Sequence, residues 1–332
     1  MATVASQVAA EPATAVSIEP AEVVRLSAVL PRITPWSGRL EAGRGCNFLG
    51  VLAPVNPALT PPARDVTTRS PMIADGEGFS EWVSTSHAIA RAKERFTMVS
   101  LGAHYGGPLV NAVHLLRATR PMPYRLVGVE GDPHMCAMVG GHFADNDVDL
   151  ADLTLINAVV GANNKPVIFP CTTTRTGANA AISAAPAIDM LVESIKNAGH
   201  TEQAFASLLQ DGTTGLFATL NDTDVQAELR LMSALTLGDI LGPLDHVDYL
   251  EIDIQSAEYT ALPPFIDLMA RRVGWVHLGT HGQGVHDAMA DMFRTHGFRI
   301  EIDWSPETAF ETPQGSFTTQ DGVLAVANPA FD

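Results

Sequence analysis

The sequence reads as an α/β fold built on a mostly parallel sheet, and three observations carry that reading. An apolar run at residues 96–103, FTMVSLGA, ends on a glycine and passes through HYGG into helical spacing. A second apolar run at 124–129 ends in Glu130-Gly131-Asp132-Pro133, and a third follows at 153–160 after another helical stretch. Strands that alternate with helices in this way argue for βαβ units and a parallel sheet.

The elements follow in order. Residues 1–20 are rich in Ala, Val, Pro and Glu and read as a loose terminus. A short helix is expected at 20–30. Residues 31–71 are dense in Pro and Gly and read as an irregular wrap that Trp36 and Phe48 could pin to the core. Helical spacing at 80–94 places Trp82, Val83, His87, Ile89 and Ala90 on one side. Then come the first strand, the glycine turn and a helix at 108–118. The turn has the spacing Gly102-x-x-x-Gly106, which is not the dinucleotide fingerprint G-x-G-x-x-G. Glu130 ends the second strand about 25–30 residues past Gly102, placed to accept both hydroxyls of a ribose. Pro133 suits the first turn of the helix that runs to Asp145.

The stretch 170–234 is too long for a plain loop inside a compact sheet. Helical patterns are expected at 186–197, 201–209 and 225–234. The stretch is read as a lid or substrate-binding insertion, with a spacer or oligomer contact as the alternative.

The chemistry concentrates in VDYLEIDIQSAE, residues 247–258, and VGWVHLGTHG, residues 273–282. Strand alternation places Tyr249, Glu251, Asp253 and Gln255 on one side, and His277, Gly279 and His281 on one face of the next strand. Two acids inside an apolar strand are costly unless they serve a site or find partners. Asp253 and His281 therefore reach the same edge, with Glu258 following at a helix start. A carboxylate and an imidazole there could take a proton from an attacking hydroxyl. His104, in the glycine turn, is a second candidate. These four residues could also gather a divalent cation, but no H-x-x-x-H helix supports that, and no metal is expected.

With these pieces in order, the chain resembles the FkbM family of S-adenosylmethionine (SAM) methyltransferases over residues 82–332, with one insertion. FTMVSLGAHYGG resembles the SAM loop and YRLVGVEGDPHMCAMVGGHFADNDVD the second strand with its ribose acid. LTLINAVVG resembles the third strand, and VDYLEIDIQSAE the D-x-Q-G-x-E-like segment, the most specific match. GFRIEIDW and DGVLAVANP resemble the closing hairpin. The resemblance implies a Rossmann-like class I methyltransferase fold. Its sheet would be seven-stranded and mostly parallel, with a closing antiparallel hairpin, an N-terminal extension (1–79) and a helical lid insertion (170–234) in a methyltransferase domain (80–332). It implies SAM as cofactor, held by Gly102, Ala103, His104, Gly106, Glu130, Gly131, Asp132 and Ala158, with Asp253, His281 and Glu258 catalytic. The implied reaction is O-methylation of a small molecule such as a sugar or secondary metabolite. Two positions depart from the family. Ser100 stands where an acid usually helps hold the SAM amino group, and Ser256 stands where a glycine follows Gln255. They leave open a SAM-binding protein without catalysis, whereas a nicotinamide-dependent oxidoreductase lacks its fingerprint here.

Composition narrows the partners. The 332 residues carry 37 acids and 20 bases, a net charge of −17 that repels nucleic-acid backbones and anionic membranes. No apolar stretch approaches the length of a spanning helix, and the first twenty residues lack the positive start of a secretory signal. Cys46, Cys136 and Cys171 cannot all pair and show no metal spacing. These features point to a cytoplasmic protein with a small-molecule acceptor, no nucleic-acid or membrane partner, and self-association left open.

Overall fold

Seven strands join in one sheet in the computed structural model, which describes residues 15–30, 32–54, 61–165, 167–172, 217–220 and 225–332. In chain order they are β1 (Phe96–Leu101), β2 (Tyr124–Glu130), β3 (Leu153–Asn157), β4 (Val247–Ile252), β5 (Val273–Thr280), β6 (Arg299–Trp304) and β7 (Gly322–Ala327). Across the sheet the order is β3-β2-β1-β4-β5-β7-β6. Every neighbour is parallel except β7, which runs antiparallel to both β5 and β6. This is the strand order of the Rossmann-like class I methyltransferase fold. The order reverses between β1 and β4, and in open α/β sheets a ligand crevice forms at such a switch, outside the carboxyl ends of the strands.

The central strands are apolar throughout because both faces are covered. Phe96, Met98, Tyr249 and Trp275 face one core with Phe79 and Val83 of α1 (Glu77–Arg91), Leu109 and Val113 of α2 (Gly107–Thr119), and Phe143 of α3 (Pro133–Asp145). The alternate residues Val99, Leu101, Leu250, Ile252, Val276 and Leu278 face a second core with Met289 and Phe293 of α4 (Gln283–Thr295). Helix α3 starts as its sequence suggests: Pro133 occupies the first turn, and the Asp132 carboxylate accepts from His134 N at 2.8 Å.

The N-terminal extension is tied down at several points. Its helix spans Pro20–Ser27, and Val16–Ser17 pairs in parallel with Ala309–Thr312 near the C-terminus. Phe48 meets Trp82 of α1 edge-on at 4.8 Å and so pins the wrap to the core, while Trp36 lies against Gly38 and Gly50 within the wrap.

The expected insertion needs correction where it is described. The helix expected at 225–234 is instead a strand, Val225–Met232, which pairs antiparallel with Val167–Thr172 and Phe217–Leu220. A second short strand, Ala234–Leu235, pairs with Val159–Val160. The sequence VQAELRLM alternates apolar and polar residues with period two, and that signal outweighs its good helix formers. The helices expected at 186–197 and 201–209 lie outside the described residues. Among the described residues, no helix is long and apolar enough to cross a membrane.

The turn after β1 is shaped by backbone crowding. Gly102 has φ +84°, and a Cβ there would lie 1.9 Å from the Asp253 carbonyl oxygen. Only glycine admits both that dihedral angle and that approach. Gly102→Ala is expected to destabilise the protein by about 2 kcal/mol or more, since strain and overlap add. Chemical denaturation with an unchanged midpoint would contradict this.

Candidate active site

The glycine turn is latched to the end of β2. Gly102 N and Ala103 N both donate to Val129 O, at 2.9 and 3.0 Å. The next residue, His104, has φ +53°, a strained conformation for a residue with a side chain. Its N–H is thereby aimed at Glu130 Oε2, 2.6 Å away, while Asp132 N donates to Glu130 Oε1 at 2.7 Å. Each oxygen of this buried carboxylate thus has one fixed donor and keeps acceptor capacity for a ligand. Burial raises the Glu130 carboxyl to about 7, against the pull of those two N–H groups. Ala158 N and Asn157 Nδ2 donate to Glu130 O at 3.0 and 2.8 Å and bring the end of β3 beside it. Phe169, from the root of the insertion, packs so closely on Gly131 that a Cβ there would meet its ring at 2.9 Å.

The second group lies at the ends of β4 and β5. Asp253 N donates to Leu101 O at 2.9 Å, which extends the ladder one residue beyond β4. His281 then sits between two carboxylates: Nε2 is 3.3 Å from Asp253 Oδ1, and Nδ1 is 3.4 Å from Glu258 Oε1. Glu258 is fully buried, with Oε1 also accepting from Ile254 N at 3.0 Å, whereas Asp253 is 47% exposed. Burial opposes a charge on His281, but the two carboxylates outweigh it and push the imidazole up to about 10. The same pairing holds Asp253 below the usual carboxylate range, although burial works the other way. Ser256 N lies 3.3 Å from Nδ1, a contact a neutral ring could accept. The two flanking carboxylates favour the charged ring. His281 is then a fixed cation at neutral pH, and of the pair only Asp253 can receive a proton.

Ser256 occupies a left-handed position, φ +72°, directly after Gln255 at φ +56°. A left-handed angle of this kind is one that glycine adopts without strain. Here the serine hydroxyl donates to His281 O at 3.2 Å, so the strained loop is tied to the end of β5.

Sequence reasoning missed part of the site. Glu81 of α1 is open to water but hemmed in by protein, and desolvation followed by the charges of Asp253 and Glu77 pushes it up to about 7. Glu251 is buried, and its Oε2 accepts from Ser100 Oγ at 2.5 Å. The two acids in an apolar strand were the available signal for Glu251; nothing local marked Glu81. His104 packs beside Tyr105 at 4.7 Å, its buried Nε2 has no hydrogen-bond partner among the described residues, and burial lowers its pKa. Gly106 starts α2 at φ +87° against Phe143. Among the described residues no cluster of His, Cys, Asp and Glu has the arrangement of a metal site. A cavity of about 810 Å³ opens at the opposite edge of the sheet, between Arg95, Thr97, Arg125, His246 and Phe331. The length of the strands separates it from the glycine turn.

No family model matches the chain. A protein described as "Putative methyltransferase" from Jannaschia sp. (strain CCS1) is 23% identical over 295 residues, 86% of this chain and 92% of that one. Precorrin-6y C5,15-methyltransferase from Geobacter metallireducens GS-15 superposes with a TM-score of 0.37 at 12% identity, covering 73% of this chain and 86% of that one. Methyltransferase FkbM from Methylobacillus flagellatus KT gives 0.39 at 12% identity, covering 70% of this chain and 44% of that one. The fold assignment rests on strand order and direction, not on these superpositions.

The His281 charge has a consequence for stability. Its pKa of about 10 in the folded protein lies above the ordinary 6.5, so its stabilisation is complete below about pH 6.5 and is lost as pH rises toward 10. Denaturation midpoints of the native protein should fall over that window more than those of His281→Gln. Parallel curves would show that the ring is neutral.

Proposed function

We propose that this protein is a SAM-dependent methyltransferase acting on an oxygen of a small molecule. The observation that carries the reading is the Glu130 carboxylate, held by His104 N and Asp132 N beside the glycine turn, at the switch point of a class I methyltransferase sheet. The residues fit the cofactor. Glu130 keeps acceptor capacity for both ribose hydroxyls, and the orphaned Nε2 of His104 offers a polar contact inside the crevice. Bound SAM supplies an electrophilic methyl group on a sulfonium.

The chain's own contribution is position and charge. Asp253 stands at the rim with an exposed carboxylate, suited to accept the acceptor's hydroxyl proton as the oxygen attacks. A carboxylate held ionised is a weak base, so its proton transfer accompanies bond formation and orientation supplies most of the rate. His281 and Glu258 fix Asp253 rather than take the proton. The excess of carboxylates in the crevice disfavours phosphate-rich acceptors, in line with a small molecule and not nucleic acid. Phe169, at the root of the insertion, packs beside Gly131, and the cover expected over 170–234 lies largely outside the described residues. The name of the Jannaschia relative supports the reaction class but not the acceptor.

Calorimetry should detect binding of SAM and none of NAD. Glu130→Ala should weaken SAM by about 1–3 kcal/mol, the loss expected for charge-assisted hydrogen bonds. With an acceptor in hand, Asp253→Asn should lower turnover about 10²-fold with little change in SAM affinity. NAD binding without SAM binding would overturn the reading. SAM binding with no turnover across an acceptor panel would favour a SAM-binding protein without catalysis.

A further inference from the structure

We infer that Glu251 is the anionic anchor for the ammonium group of SAM, a role taken over by β4 because β1 carries Ser100 at the corresponding place. The inference rests on the proposed cofactor, and its test separates the two.

Ser100, Glu251 and His277 form one row across β1, β4 and β5, on the face covered by α1. The row lies one residue before the strands end at the glycine turn and at Ile252. Glu251 is only 8% exposed, and its single described hydrogen bond is the one from Ser100 Oγ to Oε2. Among the described residues the other oxygen has no hydrogen-bond partner and Glu251 makes no ion pair. A buried carboxylate with one hydroxyl donor is unfavourable as it stands and calls for an N–H donor carrying positive charge. An ammonium supplies both; a sulfonium has no N–H.

Among the described residues the protein offers no such group nearby. His277, the partner of Glu251 on β5, is pushed down to about 4 by burial, and its Nδ1 is engaged by Ser84 Oγ at 3.0 Å. His281 is committed to Asp253 and Glu258. The remaining charged groups that act on Glu251 are acids: Asp253 beyond the end of β4, Glu81 on α1 and Glu130 on β2. Geometry directs the ligand the same way. Glu130 holds the ribose at β2, so the methionine half runs across the end of β1 toward β4. Two strand spacings separate the carboxylates, about 10 Å.

Burial raises the Glu251 carboxyl well above its ordinary value, which favours the protonated form while the crevice is empty. A cation binds the ionised form. SAM binding therefore releases a proton, and its affinity rises with pH up to the pKa of the empty site.

The test compares SAM with 5′-methylthioadenosine, which keeps the adenosine but lacks the amino-acid group. Titration calorimetry in buffers of different ionisation enthalpy reads both affinity and proton release. Glu251→Gln should weaken SAM about tenfold or more while leaving 5′-methylthioadenosine within about twofold. It should also abolish the extra proton released by SAM over 5′-methylthioadenosine. Proton release from Glu130 appears with both ligands and cancels in that difference. If Glu251→Gln does not fold, Ser100→Ala decides: it removes the hydroxyl donor and should move the pH dependence of SAM binding upward without changing 5′-methylthioadenosine binding. Equal losses for both ligands, or no loss for either, would overturn the assignment while leaving SAM as cofactor. Failure of the native protein to bind either ligand would instead remove the methyltransferase reading, and this inference with it.

Discussion

The end of β4 crosses beneath the glycine turn of β1 so closely that no side chain fits between them. Asp253 N bonds to Leu101 O, and the Asp253 carbonyl occupies the space a Cβ on residue 102 would need. This contact fixes both halves of the site. On one side it sends the turn over the end of β2, where His104 N meets Glu130. On the other it holds Asp253 at the rim, within reach of His281. The Glu130 side and the Asp253 side of the crevice are set by one backbone approach, so neither can shift alone.

Electrostatics then decides which groups keep their charge. Acids arrive at one edge of the sheet from α1, β2 and β4, and the described chain gives them few cations. The edge settles this in three ways. Glu130 takes two backbone N–H groups. Asp253 and Glu258 share the imidazolium of His281. Among the described residues Glu251 has only a serine hydroxyl. These environments spread the acids over a range of proton affinities, with Asp253 lowered and Glu81, Glu130 and Glu251 raised. A positively charged ligand would complete the balance.

Strain marks the same places. His104, Gln255 and Ser256 all adopt left-handed backbone angles without being glycine. Each is next to a group the site uses: His104 directs its N–H to Glu130, and Ser256 ties its loop to His281 O. Such conformations persist when surrounding contacts over-determine them, as the latch to Val129 O does for the glycine turn.

Much of this was legible in the sequence. Apolar runs, Gly102 and the acid at Glu130 specified a parallel α/β sheet, because strand period, turn chemistry and helix starts are local properties. Alternation along 247–258 and 273–282 placed Asp253 and His281 on one edge, since parallel neighbours keep that parity. Val225–Met232 is a strand and not the expected helix because its good helix formers carry a period-two pattern. The tertiary structure alone decided the remainder. Ser100 by itself marks the loss of an acid, whereas the pairing of β4 beside it sets Glu251 against its hydroxyl. Glu81 joined the crevice only when α1 packed across the sheet. The charge on His281 also depended on the fold, because proton affinity follows from which groups surround a side chain, and the chain order does not contain that.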